Sequence, residues 1–251
     1  MTNEVLTLAI EMGRAMLKCG AEVARVEDTI TRICAAYGCG DINVFTITSS
    51  IIVTVQSPEG KMITQTRRVT ASSLNLTKID RLNALSRRIC SEKTAIASVL
   101  PEVDRILKEP VYGFGMLCFA SAGASASFTA FFGGNWQDIL VSAVVGLVMR
   151  CCMTLLEKAG SNHLFTNYVV AFISGALAIC SVRLGLGADY EKIIIGNIML
   201  LISGVAFFNS LRDIITGDMM AGILRLCEAV VLAVLIAAGT VTAMFMMGVG
   251  V

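Results

Sequence analysis

Several residue types that build common active sites are scarce in this chain of 251 residues. His163 is the only histidine, which excludes a zinc site made from several histidines. The nine cysteines form no Cys-x-x-Cys pair, so we interpret them as small packing residues in a reducing compartment. No glycine-rich loop is followed by Lys and Ser or Thr, so we predict neither ATP hydrolysis nor a bound cofactor.

Charge is also scarce, and it is scarce in one half. The net charge is +1, so no basic excess points to a nucleic-acid partner. Residues 111–251 contain 13 charged side chains among 141 residues, whereas residues 1–110 contain 26. The second half therefore has runs without charge that approach or exceed the ~20 residues needed to cross a bilayer. These runs are Val111–Gln137, Ala159–Val182, Ile193–Leu211, Ala229–Val251 and, interrupted by Arg150, Ile139–Leu156.

The fold class that follows is a multi-pass α-helical membrane protein with an N-terminal cytosolic α+β domain. We predict that domain over residues 1–110 and a transmembrane domain over 111–251. About five membrane helices are expected, at about 112–133, 138–157, 164–184, 193–210 and 224–250.

The soluble half changes its hydrophobic spacing along the chain. Two runs at helical spacing, on either side of Gly20, predict two amphipathic helices. Alternation from Phe45 to Val55 predicts one long strand, and residues 62–69 a returning strand. A helix over 75–99 completes the order α–α–β–β–α.

Two further signals concern the end of this domain. Ser72 or Ser73 is a candidate cap for the helix over 75–99. Pro101 and Pro110 indicate a short connecting element before the first membrane helix.

The orientation in the membrane follows from the charges. The first thirty residues contain eight charged side chains and no uncharged apolar segment, so we expect no signal peptide and a cytosolic N-terminus. Five crossings then place the C-terminus outside the cell membrane, the inner membrane where two exist. Positive residues favour this orientation, since four lie at inner positions and two at outer ones. The inner four are Arg150, Lys158, Arg212 and Arg225, and the outer two are Arg183 and Lys192.

Ionisable and polar residues within the predicted spans are candidates for function, because a charge in lipid is costly. Arg150 either lines a path or extends its charge to the headgroups. Glu228 follows Arg225 by three residues and is either an interfacial ion-pair partner or a carboxylate that couples transport to protons. Asn197 either lies on a path or bonds to a neighbouring helix. The small residues 120–127 favour close helix packing, or supply hydroxyl groups to a polar path.

Three segments resemble known motifs. The segment Cys19-Gly-Ala-Glu-Val-Ala-Arg-Val-Glu27 resembles the "GAxxxRVE" opening of the threonine/serine exporter family. The segment Asn209-Ser-Leu-Arg-Asp-Ile-Ile-Thr-Gly-Asp218, continued to Ala229, is similar to that family's "NAxRDxxxGdxxxGxxRxxEA". Thr66-Arg67-Arg68-Val69 is similar to its Thr-Arg-Val element. The chain departs from the family at Ser203-Gly204, where a Pro-Gly is usual.

The resemblance implies a subunit of a secondary exporter, driven by the proton motive force, for threonine, serine or a dicarboxylate such as succinate. It also implies the larger half of a split, YjjP-type exporter. Its partner would be a small membrane protein of about four to five helices, and a homo-oligomer is a further option. Path residues by this resemblance are Asn209, Arg212, Asp213, Asp218 and Arg225. Cytosolic motif residues are Gly20, Arg25, Glu27, Arg67 and Arg68. Glu228 is the expected proton-coupling residue, so Glu228→Gln is expected to block efflux.

Two other classes stay open at this point. A membrane-anchored sensor or assembly factor would bind a small cytosolic ligand without transport. A membrane-anchored hydrolase would need a nucleophile elbow, a metal cluster or a Ser/His pairing, and none is visible. We therefore expect a protein that is not an enzyme.

Overall fold

The computed structural model describes residues 2–70, 73–93, 96–110 and 112–249, which divide into two compact units. The first unit contains the residues up to 110 together with Val205–Cys227. The second contains Tyr112–Gly204 and the chain from Glu228 onward. Ser72, Val111 and Val251, expected at a helix cap and at the two ends of the membrane region, lie outside the described residues.

The first unit has helices on one face of a small antiparallel sheet. The strand order is β1-β2-β3, and the described residues contain no further strand. The elements of this unit are α1 (Thr2–Lys18), α2 (Val23–Ala36), β1 (Gly40–Ile47), β2 (Ser50–Gln56), β3 (Met62–Arg68), α3 (Leu76–Glu92) and α4 (Ile96–Lys108).

Helix α1 is the centre of this unit. A helix that is apolar on most sides must be surrounded by protein. Ten of its residues are buried, and α2, α3, α4, β2 and β3 all pack against it. Gly13 lets α2 approach, because a Cβ there would lie 2.5 Å from Ile30 Cδ1. The one-sided helix that the sequence predicts is thus buried on other sides as well.

The prediction of one long strand from Phe45 to Val55 is wrong. The chain reverses at Thr48 and Ser49, and Ile47 pairs with Ser50 across a two-residue hairpin. The reversal changes which alternate residues face the core. Thr46 is buried before the turn and Ile51 after it, whereas Phe45 and Ile52 pair on the exposed face.

The predicted helix over 75–99 is also interrupted. Asn75 caps α3, its side chain accepting from the Lys78 backbone N–H at 3.0 Å, so the cap is not Ser73. Lys93 ends α3 in a left-handed conformation with φ 48°. Pro101, expected in a short connecting element, lies inside the 13-residue helix α4. The observed order is α–α–β–β–β–α–α instead of α–α–β–β–α.

The second unit consists of helices. Its elements are α5 (Phe114–Phe131), α6 (Trp136–Lys158), α7 (His163–Arg183) and α8 (Tyr190–Ile198), with the later part of α10 (Met219–Met246). Among the described residues, four helices are long and apolar enough to cross a membrane, namely α5, α6, α7 and α10. A largely helical chain with several candidate spans and a small sheet agrees with the predicted class at this level.

The fourth expected span is the exception. Where the sequence predicts a helix over 193–210, α8 ends at Ile198 and α9 (Gly204–Ile215) begins after a short break. The break precedes Gly204, the position at which the exporter motif usually has Pro-Gly. Gly204 without the proline still permits a bend at this position, but the structure has a break between two helices instead of a bend.

Asp138 fixes the end of the second unit where α6 begins. Its carboxylate accepts from the backbone N–H groups of Asn135, Ala188 and Asp189 at 3.0, 2.7 and 3.1 Å. These bonds satisfy a fully buried carboxylate and join the start of α6 to the loop before α8.

Glycines set the closest helix contacts of this unit. A Cβ at Gly196 on α8 would lie 2.0 Å from Thr129 Oγ1 and 2.8 Å from the Thr129 backbone nitrogen on α5. A Cβ at Gly146 on α6 would lie 2.3 Å from Ser125 Oγ. Small residues allow such approach in membranes, where apolar burial does not drive helices together.

We predict that Gly196→Ala destabilises the protein by about 1–3 kcal/mol, because the new methyl group meets backbone atoms that cannot move aside. The thermal unfolding of the purified full chain measures this. Gly123→Ala is the matched control, since no atom lies within 4 Å of a Cβ at that position on α5. Equal melting temperatures for both variants would contradict the packing described.

Candidate functional site

The two longer motifs meet in the first unit. Gly20 ends α1 with φ +81°, a conformation that favours glycine, and Ala21 and Glu22 then lead into α2. The other motif forms α9 and the start of α10, joined by a turn at Gly217 with φ +103°. Both segments belong to the same compact unit although about 190 residues separate them.

Arg225 makes the central contact. Its Nη1 donates to Asp213 Oδ2 at 3.0 Å, and its Nη2 donates to the backbone carbonyl of Ala21 at 2.7 Å. The side chains of Arg225 and Asp213 are 13% and 2% exposed. One guanidinium therefore ties α9 to α10 and both to the start of α2.

A second ion pair lies beside the first and is more exposed. Arg212 Nη1 donates to Glu22 Oε1 at 2.7 Å, with the arginine side chain 53% exposed. Asp218, in the turn before α10, donates its backbone N–H to the Asp213 carbonyl at 2.9 Å. We call Glu22, Arg212, Asp213, Asp218 and Arg225 the charge cluster. It contains three carboxylates and two guanidinium groups.

The electrostatics of the charge cluster favour proton uptake. Burial raises the pKa of Asp213 above its ordinary value, opposed by the Arg225 guanidinium and reinforced by the carboxylates of Asp218 and Glu22. The pKa of Glu27 on α2 is also raised, chiefly by burial, although the Thr46 backbone N–H donates to it at 2.8 Å. Asp218 adds to this rise. Excess negative charge in a partly dry setting thus makes protonation easier.

The second unit contains a polar network that is fully buried. Ser125 Oγ donates to Asn197 Oδ1 at 2.8 Å, and Asn197 Nδ2 donates to Ser142 Oγ at 3.0 Å. Thr129 Oγ1 donates to Ser142 Oγ at 2.6 Å. Asn197 therefore joins α8 to α5 and α6, as its helix-bonding interpretation predicts. Ser125 is the one member of the run 120–127 that belongs to this network.

An apolar groove of about 570 Å³ lies between α6 and α7. Trp136, Leu140, Val144, Leu177 and Leu184 are among the residues that line it. Its surface offers few polar groups to a hydrophilic substrate.

Other predicted site residues lie apart from the charge cluster. Glu228 is exposed on α10, and no ion pair joins it to Arg225 among the described residues. Arg150 is half-buried on α6, and its Nε has no hydrogen-bond partner in the part of the chain described. Asn209 is half-buried on α9.

The cytosolic motif residues divide between packing and exposure. Arg67 Nε donates to Glu11 Oε1 at 2.9 Å and so joins β3 to α1. Arg25 and Arg68 are exposed. Glu27 supports β1 at its outer edge through Thr46, and Gly20 shapes the turn that presents the Ala21 carbonyl.

Sequence reasoning missed Glu22 and Ala21 as members of the site. Glu22 lies within the first motif, and its charge was the signal that could have identified it as a site residue. The Ala21 contribution is a backbone carbonyl, which no residue pattern reveals. The acceptor of the Arg225 hydrogen bond was also missed. Spacing favoured Glu228, which is three residues away in sequence, whereas the acceptor, Asp213, is twelve residues away.

We predict that Arg225→Met destabilises the first unit by about 3–5 kcal/mol, because it leaves the Asp213 carboxylate buried without a counter-charge. Adding Asp213→Asn to the same chain is expected to recover part of the loss. Thermal unfolding of the single and double variants measures this coupling. Arg32→Met, at the exposed pair with Asp28, is the control and is expected to leave the melting temperature unchanged. Additive effects of the two substitutions would contradict the pairing.

Glu27 gives a pH-dependent prediction. Its folded pKa lies above the ordinary glutamate value of 4.5, so its contribution to stability is full below that pH and is lost as the pH rises through the folded value. In Glu27→Gln the amide oxygen can still accept from Thr46, but the side chain does not ionise.

The melting temperature of Glu27→Gln, relative to the natural chain, is therefore expected to increase from about pH 4 to about pH 7. Glu59→Gln, in the exposed turn between β2 and β3, controls for the loss of one charge. A difference in melting temperature that stays constant across this range would show that folding does not disfavour ionisation of Glu27.

Comparison with known proteins now gives the family. The sequence profile described as "Putative threonine/serine exporter" matches residues 7–247. The chain is 26% identical over 240 residues to a "Probable threonine/serine exporter" of Mycobacterium tuberculosis, covering 95% of this chain and 45% of that protein. It is 26% identical over 242 residues to the "Threonine/serine exporter" of Corynebacterium glutamicum, covering 94% of this chain and 50% of that one.

A third relative has a similar length. The "Probable succinate transporter subunit YjjP" of Klebsiella aerogenes is 23% identical over 248 residues, covering 97% of this chain and 94% of that protein. The chain thus spans about half the length of the first two relatives and nearly all of the third. No solved structure matches it significantly. The profile match across nearly the whole chain places this protein in the threonine/serine exporter family.

Proposed function

We propose that this protein is a subunit of a secondary exporter of small hydrophilic metabolites, driven by the proton motive force. The observation that carries the proposal is the buried Arg225–Asp213 pair, at the start of a helix that can cross a membrane. A carboxylate that can take up a proton, next to an arginine, is suited to linking proton binding to movement of a charged substrate.

The substrate class is a small molecule with a carboxylate. Serine, threonine and succinate all have this group, and an arginine can hold it with two parallel hydrogen bonds. Arg212 is half exposed, and the Arg150 Nε has no partner in the described chain, so these two are candidate contacts along the path. Asn197, Asn209 and Asp218 are proposed to add polar contacts. The names of the relatives support the same class.

The proposed orientation places the N-terminus in the cytoplasm and the C-terminus outside the cell (inner) membrane. It requires an odd number of crossings. The four long helices supply four, and we assign the fifth to the interrupted segment over 193–210, which ends before Asp213. The distribution of Lys and Arg supports this direction.

A membrane partner is part of the proposal. Two relatives are about twice as long as the matched region, and a third relative of matching length is named as a subunit. We therefore infer that a second membrane component of about four to five helices completes the path. In the longer relatives it would be fused to the same chain.

The test is efflux from proteoliposomes loaded with labelled serine, threonine or succinate. The full chain is reconstituted alone and with its candidate partner, with and without an imposed proton gradient. We expect flux that requires both the partner and the gradient. Flux that is unchanged by removal of the gradient would contradict proton coupling. No flux in any arrangement, with correct insertion shown, would favour a sensor or assembly factor whose cytosolic domain binds a ligand.

A further inference from the structure

Several carboxylates in this chain are candidates for proton binding, and their surroundings separate them. Glu228 is exposed and has no ion pair among the described residues. Glu27 accepts a backbone N–H from Thr46. Glu11 and Glu22 pair with arginines but are 26% and 19% exposed. Asp213 pairs with an arginine at 2% exposure.

We propose that Asp213 is the proton-binding residue of the transport cycle, and that its ion pair with Arg225 is a latch: protonation releases one edge of the Arg225 guanidinium while the buried segment stays folded. The proposal rests on the exporter function proposed above and names the residue through which that function senses protons. It assigns to Asp213 the role that sequence spacing suggested for Glu228.

The groups around Asp213 explain why a proton acts there. Arg225 faces it from α10, and Glu22 and the Val23 backbone N–H face it from the start of α2. Asp218 faces it from the turn before α10, and Arg212 on its own helix is engaged by Glu22. One guanidinium thus stabilises the Asp213 charge while two carboxylates oppose it. Burial opposes it further, and the pKa of Asp213 is raised accordingly.

The consequence of protonation is local and specific. A proton from water binds the Asp213 carboxylate and removes its negative charge, so the hydrogen bond from Arg225 Nη1 loses its ionic part. Arg225 Nη2 keeps the Ala21 carbonyl as its partner. One edge of the Arg225 guanidinium thus becomes available to another carboxylate. A substrate carboxylate is the ligand that this free edge would accept.

The geometry of the latch also limits what can open it. Asp213 lies near the end of α9, and its carbonyl accepts the Asp218 N–H across the turn at Gly217. A change at Asp213 therefore acts on the connection between α9 and α10. Local opening of such a segment exposes its backbone amides to exchange with solvent.

The first measurement is hydrogen–deuterium exchange of peptides covering residues 205–227 in the full chain, at neutral and mildly acidic pH, corrected for intrinsic exchange rates. In the natural chain we expect protection to rise on acidification, because the raised pKa of Asp213 means that the folded segment binds the proton more tightly than the locally opened segment does. In Asp213→Asn, whose neutral amide stands in for the protonated carboxyl group, we expect exchange that no longer depends on pH.

Two matched variants make the result specific. Asp218→Asn removes a carboxylate from the same turn but leaves the latch, so its exchange is expected to stay pH-dependent. Arg225→Gln leaves the buried Asp213 carboxylate without its counter-charge, so its exchange is expected to be faster at neutral pH and to slow more strongly on acidification. If Asp213→Asn does not fold, Asp213→Glu serves instead, and it must keep the pH dependence. Exchange in Asp213→Asn that follows the natural chain at both pH values overturns the proposal.

Transport provides the second measurement. With the partner present, Asp213→Asn is expected to let substrate flow down its own gradient but to lose stimulation by the proton gradient. Glu228→Gln is expected to keep that stimulation. The reverse pattern, with coupling lost only in Glu228→Gln, overturns the proposal. If the natural chain shows no flux with serine, threonine or succinate, the proposed function fails, while the exchange measurement still decides whether Asp213 binds a proton in the folded chain.

Discussion

The arrangement of the first unit depends on one buried ion pair. Asp213 has almost no access to water. Its negative charge is stabilised there because Arg225 donates a hydrogen bond to it at 3.0 Å. The same guanidinium also donates to the Ala21 carbonyl, which the left-handed turn at Gly20 presents. The sequence predicts that Val205–Cys227 lies among membrane helices. These contacts instead make it part of the first unit, which is built around α1 and a three-stranded sheet.

Different interactions stabilise the second unit. Helices in lipid gain little from burying apolar surface, so close packing and hydrogen bonds decide which faces meet. Gly196 and Gly146 permit the approach to α5, and Asn197 links three helices through hydroxyl groups. Asp138 is satisfied by backbone N–H groups and needs no counter-charge. Arg150 differs, because its Nε has no partner within the described chain.

Parts of this structure follow directly from the sequence, and the reasons are particular. The scarcity of charge identifies α5, α6, α7 and α10, because a helix with a long uncharged, apolar run matches the thickness of a bilayer. The break after α8 is not visible, since the apolar run continues through Leu200–Ile202 and Ser203 replaces a proline. The hairpin at Thr48–Ser49 is hidden because its turn contains neither glycine nor asparagine, and alternation continues across it.

The charge cluster shows a similar limit. The motifs that contain Glu22 and Arg225 are recognisable, but no spacing rule connects residues about 200 positions apart. Helical spacing favours Glu228 as the neighbour of Arg225, because a residue three positions away lies on the same face. The burial of Asp213 and the fold of α9 against α10 decide otherwise. Local spacing therefore identifies Arg225 as a site residue, but it predicts Glu228 instead of Asp213 as the partner.

Difference infrared spectroscopy of the full chain across a pH series tests the role of Asp213 most directly, because a protonated carboxyl group has its own C=O stretching band. The account predicts a band that persists above the ordinary aspartate pKa of 3.8, disappears as the pH rises further, and is absent from Asp213→Asn. Identical titrating bands in the natural chain and in Asp213→Asn would contradict it.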